Sequence, residues 1–289
     1  MSRNNEDRLG TAAPPADTVV PAAAQQAQDQ SVFAFATPTE FVELPSGGRF
    51  YDEGHPLHNQ ETVEIKFMTA KEEDILTSPA LLKKGLAIDR LLQSVVIDKT
   101  LDLDSLLIGD KNALLVATRI TGYGNEYTTN VTCPACTTTT RHEFDLGTVD
   151  HQLGGLQTAD AEFVTATDKG TFFIEGFKRI EATVEVRLLR GHDQKATASR
   201  IKTKKKHKLS TSQFLEQLSS FIVSVNGNKT ASYITSFLEN LPAMDSRHLR
   251  TVYATLVPNV DMTQDFDCES CGVTTPMEVP LNAEFFWPR

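Results

Sequence analysis

The amino-acid sequence predicts an α+β fold in which helices are combined with antiparallel β segments. The first observation is that the four cysteines of the chain fall into two Cys-x-x-Cys pairs that lie far apart in sequence. The second is that short stretches alternate apolar and polar residues, as half-buried strands do. The third is that longer stretches space their apolar residues three and four positions apart, which is typical of amphipathic helices.

The two cysteine pairs are copies of one short pattern. Cys133 and Cys136 form the first pair, and Cys268 and Cys271 form the second. In both copies a glutamate stands seven positions after the last cysteine, an apolar residue follows it, and a leucine comes two positions later. The repetition predicts two knuckles, over residues 125–146 and 263–282. Each would be a strand, a tight turn that carries two thiolates, and a returning strand.

Four sulfurs suit a tetrahedral Zn²⁺ ion and leave no open position for catalysis. The sequence therefore predicts a structural zinc site and a zinc-ribbon-like element built from the two distant knuckles. Three alternatives are open: two disulfides, a redox dithiol, and inert buried cysteines. The first residues lack the form of a secretory signal, which argues against disulfides. A redox dithiol needs one pair in a thioredoxin-like setting, and inert buried cysteines are usually solitary.

The composition restricts the class of protein. The chain has 289 residues, of which 40% are hydrophobic, and its formal net charge is −10. No apolar run reaches the roughly 18 residues that a transmembrane helix needs, so no membrane partner is expected. A surface of this charge repels phosphate, which argues against a nucleic acid as the partner. These features predict that the protein functions in a cytoplasm.

The composition changes at about residue 36. Residues 1–36 are rich in Ala, Pro, Gln and Asp and have almost no large apolar side chain before Phe33. Alone, such a segment cannot bury enough surface to offset its ordering entropy, which predicts a disordered or partner-bound N-terminal arm. Residues 37–289 are expected to form a single globular α+β unit, which is closed where the two knuckles join.

The globular unit begins with β segments. Residues 41–51 indicate a strand followed by a glycine turn, and residues 62–68 indicate a half-buried strand. Thr69 and Glu72 predict a capping box at the start of a helix. The acidic first turn of that helix is expected to be solvated.

Helices and strands follow one another in the middle of the chain. One helix is expected over residues 78–96 and another over residues 110–121. Strands are expected over residues 161–166, 171–177 and 182–189. A glycine-containing turn joins the first two, which predicts an antiparallel sheet.

The segment of residues 192–208 is polar and ends in the basic run Lys-Thr-Lys-Lys-Lys-His-Lys. A solvated helical face or a linker explains this run, and a contact with nucleic acid or an acidic partner is the alternative. No aromatic residue flanks the run to stack on bases, which favours the first interpretation.

The last third of the chain predicts helices again. Two are expected over residues 212–225 and 229–241, and a third is expected to be capped by Asp245 and Ser246. The aromatic residues at 285–287 are expected to be buried, in a groove of this chain or in a neighbour's pocket.

No pattern of catalytic residues is found. The sequence contains no glycine-rich phosphate loop, no Gly-x-Ser-x-Gly and no His-Glu-x-x-His, and its seven histidines are scattered. A nucleophilic cysteine would have to come from the duplicated pattern that already has an explanation. The sequence therefore predicts that the protein is not an enzyme.

Several blocks of sequence carry a resemblance to a known family. They are residues 44–51 (Leu-Pro-Ser-Gly-Gly-Arg-Phe-Tyr), 68–78 (Met-Thr-Ala-Lys-Glu-Glu-Asp-Ile-Leu-Thr-Ser), 84–89 (Lys-Gly-Leu-Ala-Ile-Asp), 188–191 (Leu-Leu-Arg-Gly), 245–250 (Asp-Ser-Arg-His-Leu-Arg) and 285–288 (Phe-Phe-Trp-Pro). In combination they resemble the T-even-type baseplate hub protein family of contractile-tailed phages. The resemblance covers about residues 40–289, and the block that begins at Met68 is its most specific part.

The resemblance implies a non-enzymatic structural component of the tail baseplate hub, in the virion, assembled in the host cytoplasm. The implied role is in baseplate and tail assembly, near the tube tip and the central spike. The implied partners are other baseplate hub, tube, tape-measure and spike proteins, with multiple copies in a symmetric assembly. One alternative is a transient hub assembly chaperone that the mature virion lacks. A further alternative is a zinc-ribbon nucleic-acid-binding adaptor that uses the basic run.

Overall fold

Helices and antiparallel strands together build the part of the chain that the computed structural model describes, namely residues 37–154, 162–167, 170–206, 212–280 and 283–286. The helices in this part are α1 (Ala70–Thr77), α2 (Pro79–Lys84), α3 (Ala87–Val95), α4 (Ile108–Tyr123), α5 (Gly191–Lys206), α6 (Gln213–Phe221), α7 (Ala231–Asn240) and α8 (Ala243–Leu256). The strands are β1 (Thr39–Glu43), β2 (Thr62–Lys66), β3 (Glu126–Thr132), β4 (Thr139–Asp145), β5 (Asp150–Gln152), β6 (Val164–Ala166), β7 (Thr171–Ile174), β8 (Val184–Arg187), β9 (Ile222–Val225), β10 (Asn259–Asp261), β11 (Thr263–Asp267) and β12 (Thr274–Glu278).

All of these strands pair antiparallel. The largest sheet has the order β6-β7-β8-β9, and four two-stranded sheets are formed by β1 with β2, β3 with β4, β5 with β10, and β11 with β12. The predicted combination of helices and antiparallel sheet is confirmed. The boundary between an arm and a single globular unit stays a prediction, because residues 1–36 lie outside the described residues.

The core lies between the helices and the sheets. On α3, Leu91 and Leu92 are fully buried, and Leu114 of α4 is equally inaccessible. In the four-stranded sheet, Val184 and Val225 lie opposite each other and are also fully buried. Each such side chain contributes about 1.5–3 kcal/mol through its removal from water. Helices α3 and α4, which precede the first knuckle, are therefore core elements of the fold.

Two predicted helices are shorter than the sequence indicates. The helix expected over residues 78–96 is two helices, because Gly85 adopts a left-handed conformation with φ of 68° and ends α2. The helix expected over residues 212–225 stops at Phe221. The next four residues, Ile-Val-Ser-Val, form strand β9, since β-branched side chains suit a strand and the edge of β8 is there to pair with.

The prediction that Asp245 caps a helix is wrong. Helix α8 begins at Ala243, directly after Pro242, so Asp245 lies inside the first turn. Its buried carboxylate accepts hydrogen bonds from the backbone N–H groups of Lys178 and Arg179. It therefore joins the loop after β7 to the start of α8.

The prediction that the acidic first turn of α1 is solvated is wrong for Glu72, which is fully buried. Its carboxylate accepts hydrogen bonds from the backbone N–H and hydroxyl of Thr69, from Lys66 Nζ at 2.7 Å and from Ser94 Oγ at 2.5 Å. Burial alone would raise the pKa of Glu72, but the hydrogen bonds from Lys66, Ser94 and Thr69 lower it to about 2. The predicted capping box is present, and it also joins α1 to β2 and α3.

Replacing Glu72 with glutamine is expected to lower the free energy of unfolding at pH 7 by about 2–3 kcal/mol. The pKa of Glu72 is depressed in the folded state, so its contribution is complete above about pH 4.5 and is lost as the pH falls toward 2. Denaturant unfolding of wild type and E72Q at several pH values between 7 and 3 measures the difference.

The matched control is Glu73→Gln, because Glu73 is the exposed neighbour on the same helix turn. E73Q should change the free energy of unfolding by less than about 0.5 kcal/mol. Because each variant is compared with wild type at the same pH, the effects of other titrating groups on the free energy of unfolding cancel. A difference between wild type and E72Q that stays constant down to pH 3 would contradict this assignment.

Other predictions fall partly outside the described residues. The turn between β6 and β7 is closed by a hydrogen bond from Thr167 N–H to the Thr171 carbonyl, but residues 168 and 169 are not described. Of the terminal aromatic run, Phe285 and Phe286 are buried as predicted, and residues 287–289 are not described. No described helix is both long and apolar enough to cross a membrane.

Candidate metal centre

Two hairpins present the four cysteines. In the first, Cys133 directly follows β3 and Cys136 lies three residues before β4. In the second, Cys268 directly follows β11 and Cys271 lies three residues before β12. Each pair therefore occupies the tip of a hairpin, as the duplicated pattern predicts.

The two hairpin tips share one backbone conformation. The N–H of Cys133 donates to the Thr138 carbonyl, and the N–H of Thr137 donates back to the Cys133 carbonyl, both at 2.9 Å. In the second tip, Cys268 and Gly272 take the corresponding parts, at 3.0 and 2.8 Å. The residue after the second cysteine is left-handed in both tips, with φ of 59° at Thr137 and 71° at Gly272.

Replacing Thr137 with glycine is expected to stabilise the metal-loaded protein by about 0.5–1 kcal/mol. A left-handed conformation costs a non-glycine residue about 1–2 kcal/mol, and the larger conformational freedom of glycine in the unfolded chain offsets part of this gain. Thermal unfolding in the presence of zinc measures the difference.

The opposite change at the matching position serves as the control. Gly272→Thr should destabilise the protein by about 1 kcal/mol. A Cβ atom at position 272 would meet no heavy atom within 4 Å, so the change tests the backbone conformation alone. Identical melting temperatures for T137G, G272T and wild type would contradict the shared knuckle conformation.

The hairpin tips meet, and their four sulfurs form one cluster. The Sγ atoms of Cys133 and Cys271 are 3.8 Å apart, those of Cys136 and Cys268 are 3.7 Å apart, and all four lie within 4.8 Å of one another. Cys133 and Cys268 are buried, whereas Cys271 is exposed. The cluster joins parts of the chain that are 132 and 138 residues apart.

These distances fit a metal ion better than disulfides. A disulfide holds its sulfurs about 2.05 Å apart, far closer than the contacts of 3.7 and 3.8 Å, and all four cysteines are free. A tetrahedral zinc ion with Zn–S bonds of about 2.3 Å would hold its four sulfurs about 3.8 Å apart. In the described part of the chain, no other group of three or more His, Cys, Asp or Glu side chains could hold a metal ion.

The electrostatics of the free cluster favour a cation. Hydrogen bonds from the side chain and backbone of Thr138 lower the pKa of the Cys136 thiol to about 6. At Cys271 a backbone hydrogen bond from Val273 acts in the same direction, but the neighbouring thiols, first of all that of Cys268, raise the pKa to about 12. One thiolate therefore forms readily, and further negative charge in the cluster needs a cation to balance it.

The hairpins also pack against each other beneath the cluster. The side chain of Gln264 on β11 donates to the Asp145 carbonyl at 2.7 Å and accepts from the Asp145 N–H at 3.1 Å. The ring of His142 lies edge-on to Phe144 and Phe266, with centroids 4.6 and 5.1 Å away. Since both phenylalanines are fully buried, the two hairpins share a small core that positions the sulfurs.

Comparison with known proteins identifies the family. The family model described as T4 bacteriophage base plate protein matches residues 37–287, which is most of the chain. The chain belongs to this family. Among curated proteins and among solved structures, nothing matches the chain. The resemblance to a T4-type phage baseplate family is thereby confirmed, and membership indicates a structural rather than catalytic role.

In this baseplate protein, the sequence block 44–51 anchors the start of the globular part. The hydroxyl of Ser46 and the phenol of Tyr51 both donate to the buried Asp110 carboxylate at 2.6 Å, and the Ser46 N–H donates to it at 2.9 Å. Burial raises the pKa of Asp110, although the hydrogen bonds from Ser46 and Tyr51 act against this shift. Sequence reasoning missed Asp110, because a carboxylate in a first helix turn usually faces water.

Arg119 is a second residue of the baseplate protein that sequence reasoning missed. It lies on α4, is almost fully buried, and donates to the carbonyls of Phe285, Gly124 and Glu126 at 2.7, 2.8 and 2.9 Å. The Phe285 ring packs edge-on against Tyr127 of β3, with centroids 5.2 Å apart. Arg119 therefore fixes the C-terminal segment to the hairpin that carries Cys133 and Cys136.

The basic segment of the baseplate protein continues helix α5 as far as Lys206, and residues 207 and 208 lie outside the described residues. Lys204 forms an ion pair with Glu216 of α6, so this part of the run contacts the protein itself. Lys202 is exposed. This geometry agrees with the predicted helical face.

Proposed function

We propose that the protein is a non-enzymatic structural component of the phage tail baseplate hub. In this role it takes part in baseplate and tail assembly near the tube tip and the central spike, in several copies. Its partners would be other baseplate hub, tube, tape-measure and spike proteins. The observation that carries the proposal is the family match over residues 37–287. The sequence blocks described above supply the hub assignment within that family.

We further propose that Cys133, Cys136, Cys268 and Cys271 bind one structural Zn²⁺ ion and close a zinc-ribbon-like element. The support is the donor set, the sulfur distances of 3.7 and 3.8 Å, and the matched conformation of the two tips. Four thiolates complete a tetrahedral shell, so the ion would have no position for a substrate. Its role would be to hold two distant hairpins together.

Quantitative mass spectrometry of purified mature tails and of assembly intermediates tests the proposed function. The expected result is a fixed integer ratio of this protein to the hub proteins in finished tails, with the same ratio in the late intermediates. Presence only in intermediates would contradict the structural assignment and support a transient chaperone. Absence from both would contradict a role in the baseplate.

The same preparations test the nucleic-acid alternative. We expect wild type to show no salt-sensitive binding to DNA or RNA. We also expect Lys202→Glu, which reverses the charge of an exposed side chain, to be incorporated into tails like wild type. Nucleic-acid binding by wild type that weakens in Lys202→Glu would favour the adaptor.

A further inference from the structure

The two cysteine hairpins are held together by contacts that do not involve the sulfurs. The side chain of Gln264 bonds to the backbone of Asp145, and the ring of His142 lies against the buried Phe144 and Phe266. Each tip is also closed by two backbone hydrogen bonds of its own. Because none of these contacts uses a metal, we expect the tips to stay neighbours in the folded protein after the ion leaves.

The sulfur contacts of the cluster cross from one hairpin to the other. Cys133 Sγ lies 3.8 Å from Cys271 Sγ, and Cys136 Sγ lies 3.7 Å from Cys268 Sγ. Since a disulfide holds its sulfurs about 2.05 Å apart, each pair has to close by about 1.7 Å to form one. Rotation of the two cysteine side chains can supply such a movement.

Each cross-hairpin pair combines an accessible sulfur with a buried one. Cys271 is exposed and its neighbour Cys133 is buried, while Cys136 is half-buried and its neighbour Cys268 is buried. An accessible thiolate takes an oxygen atom from a peroxide and becomes a sulfenic acid, with which a neighbouring thiolate condenses. The accessible sulfur of each pair can therefore begin the reaction, and the buried sulfur can complete it.

The fold favours these pairings over disulfides within each Cys-x-x-Cys. A cross-hairpin disulfide joins residues that are 138 or 132 positions apart, whereas a disulfide within a pair closes a loop of about four residues. The longer loop removes more entropy from the unfolded chain, so the cross-hairpin disulfide stabilises the fold more. By thermodynamic linkage, the fold stabilises that disulfide against reduction to the same extent.

We propose that, once zinc has left the site, a peroxide converts the pairs Cys133–Cys271 and Cys136–Cys268 into two disulfides that join the same hairpins. The accessible thiolate takes an oxygen atom from the peroxide, and hydroxide leaves. The thiolate of the buried cysteine then attacks that sulfur, so that the S–S bond forms, the S–O bond breaks and a second hydroxide leaves. For each disulfide, two thiolates lose two electrons and one hydrogen peroxide is reduced to two hydroxide ions, which take up protons to become water.

This inference rests on the proposed function, because it assigns a regulation to the proposed zinc site of a virion protein. The reducing cytoplasm of the host keeps thiols reduced, so the metal joins the hairpins there. Outside the cell no such reductant is present, and disulfides persist on virions. The exchange keeps the two hairpins joined in both environments.

Trapping of the first disulfide in wild-type protein tests the pairing. Protein purified without oxygen is analysed for zinc, treated with a chelator and one equivalent of hydrogen peroxide, and alkylated with iodoacetamide. Peptide mass spectrometry should find Cys133–Cys271 with Cys136 and Cys268 alkylated, or Cys136–Cys268 with the other two alkylated. A first disulfide within either Cys-x-x-Cys, or between Cys133 and Cys268, would overturn the proposal. Absence of zinc before the treatment would instead refute the proposed metal site.

Two double variants that each retain two cysteines provide a matched comparison. The variant with Cys136→Ser and Cys268→Ser keeps the proposed pair, and the variant with Cys136→Ser and Cys271→Ser keeps one cysteine of each pair. Both lack two metal ligands, so they differ only in which sulfurs remain. Under peroxide the first should form its disulfide at least about tenfold faster. Equal rates would overturn the proposal, and the wild-type peptide map decides if either variant does not fold.

Discussion

Replacing Cys133 with serine is expected to abolish stoichiometric metal binding and to lower the free energy of unfolding by roughly 5 kcal/mol. The cluster closes a loop of more than 130 residues, and a cross-link across a loop of that size contributes about this amount through the entropy of the unfolded chain. Cys133 is fully buried, so serine also leaves a poorly packed site. Denaturant unfolding with and without zinc, together with metal analysis, measures both effects.

Chelation of wild-type protein provides the comparison that does not depend on a mutation. Under reducing conditions a strong chelator should destabilise wild type by a similar amount, because metal binding is coupled to folding. C133S should show no further loss, since its site is already empty of metal. The proposed metal cross-link between the hairpins would be contradicted if C133S retained one equivalent of metal. It would also be contradicted if the chelator did not change the stability of wild type.

Replacing Arg119 with methionine is expected to lower the free energy of unfolding by about 3 kcal/mol. Three charge-assisted hydrogen bonds are lost, and the carbonyl of Phe285, which accepts the buried bond of the three, is left without its donor. The C-terminal segment loses its main polar attachment to α4. Chymotrypsin, which cuts after aromatic residues, should therefore cleave at Phe285 and Phe286 much faster in R119M than in wild type.

Arg200→Met is the control for loss of an arginine. Arg200 is exposed on α5 and its guanidinium donates to the neighbouring Thr197 hydroxyl, so the change should cost less than about 0.5 kcal/mol. Cleavage at the C terminus should be unaffected in that variant. If R119M unfolds and is cleaved like wild type, Arg119 does not hold the terminus.

The local features of the candidate site could be predicted from the sequence. A strand, a turn with two cysteines and a returning strand are set by residues close together in sequence, and their repetition at Cys133 and Cys268 predicted that the two tips are alike. That the tips meet required a further assumption, namely that one ion binds all four sulfurs. The cluster distances agree with that assumption.

The features that sequence reasoning missed depend on partners distant in the chain. Ile222 belongs to an apolar run that fits a helix as well as a strand, and the edge of β8 decides the outcome. Asp110 and Glu72 have the signature of solvated helix starts, yet Ser46 and Ser94 approach them from segments 64 and 22 residues away. Arg119 interrupts an apolar helix face, and its acceptors include a carbonyl 166 residues away.

The resemblance of separate sequence blocks to one family also has a physical basis. The block 44–51 supplies Ser46 and Tyr51 to the buried Asp110 carboxylate, and the block that begins at Met68 supplies Glu72 to the junction of α1, β2 and α3. These residues stabilise the globular part of the protein. The blocks therefore contribute buried residues to the fold of the family.

Metal analysis of protein purified without oxygen tests the central claim most directly. Elemental analysis combined with thiol titration should give one zinc ion per chain, and four thiols that react only after the metal is removed. A preparation with no zinc, in which Cys133 and Cys136 form a disulfide, would contradict a structural metal that joins the two hairpins.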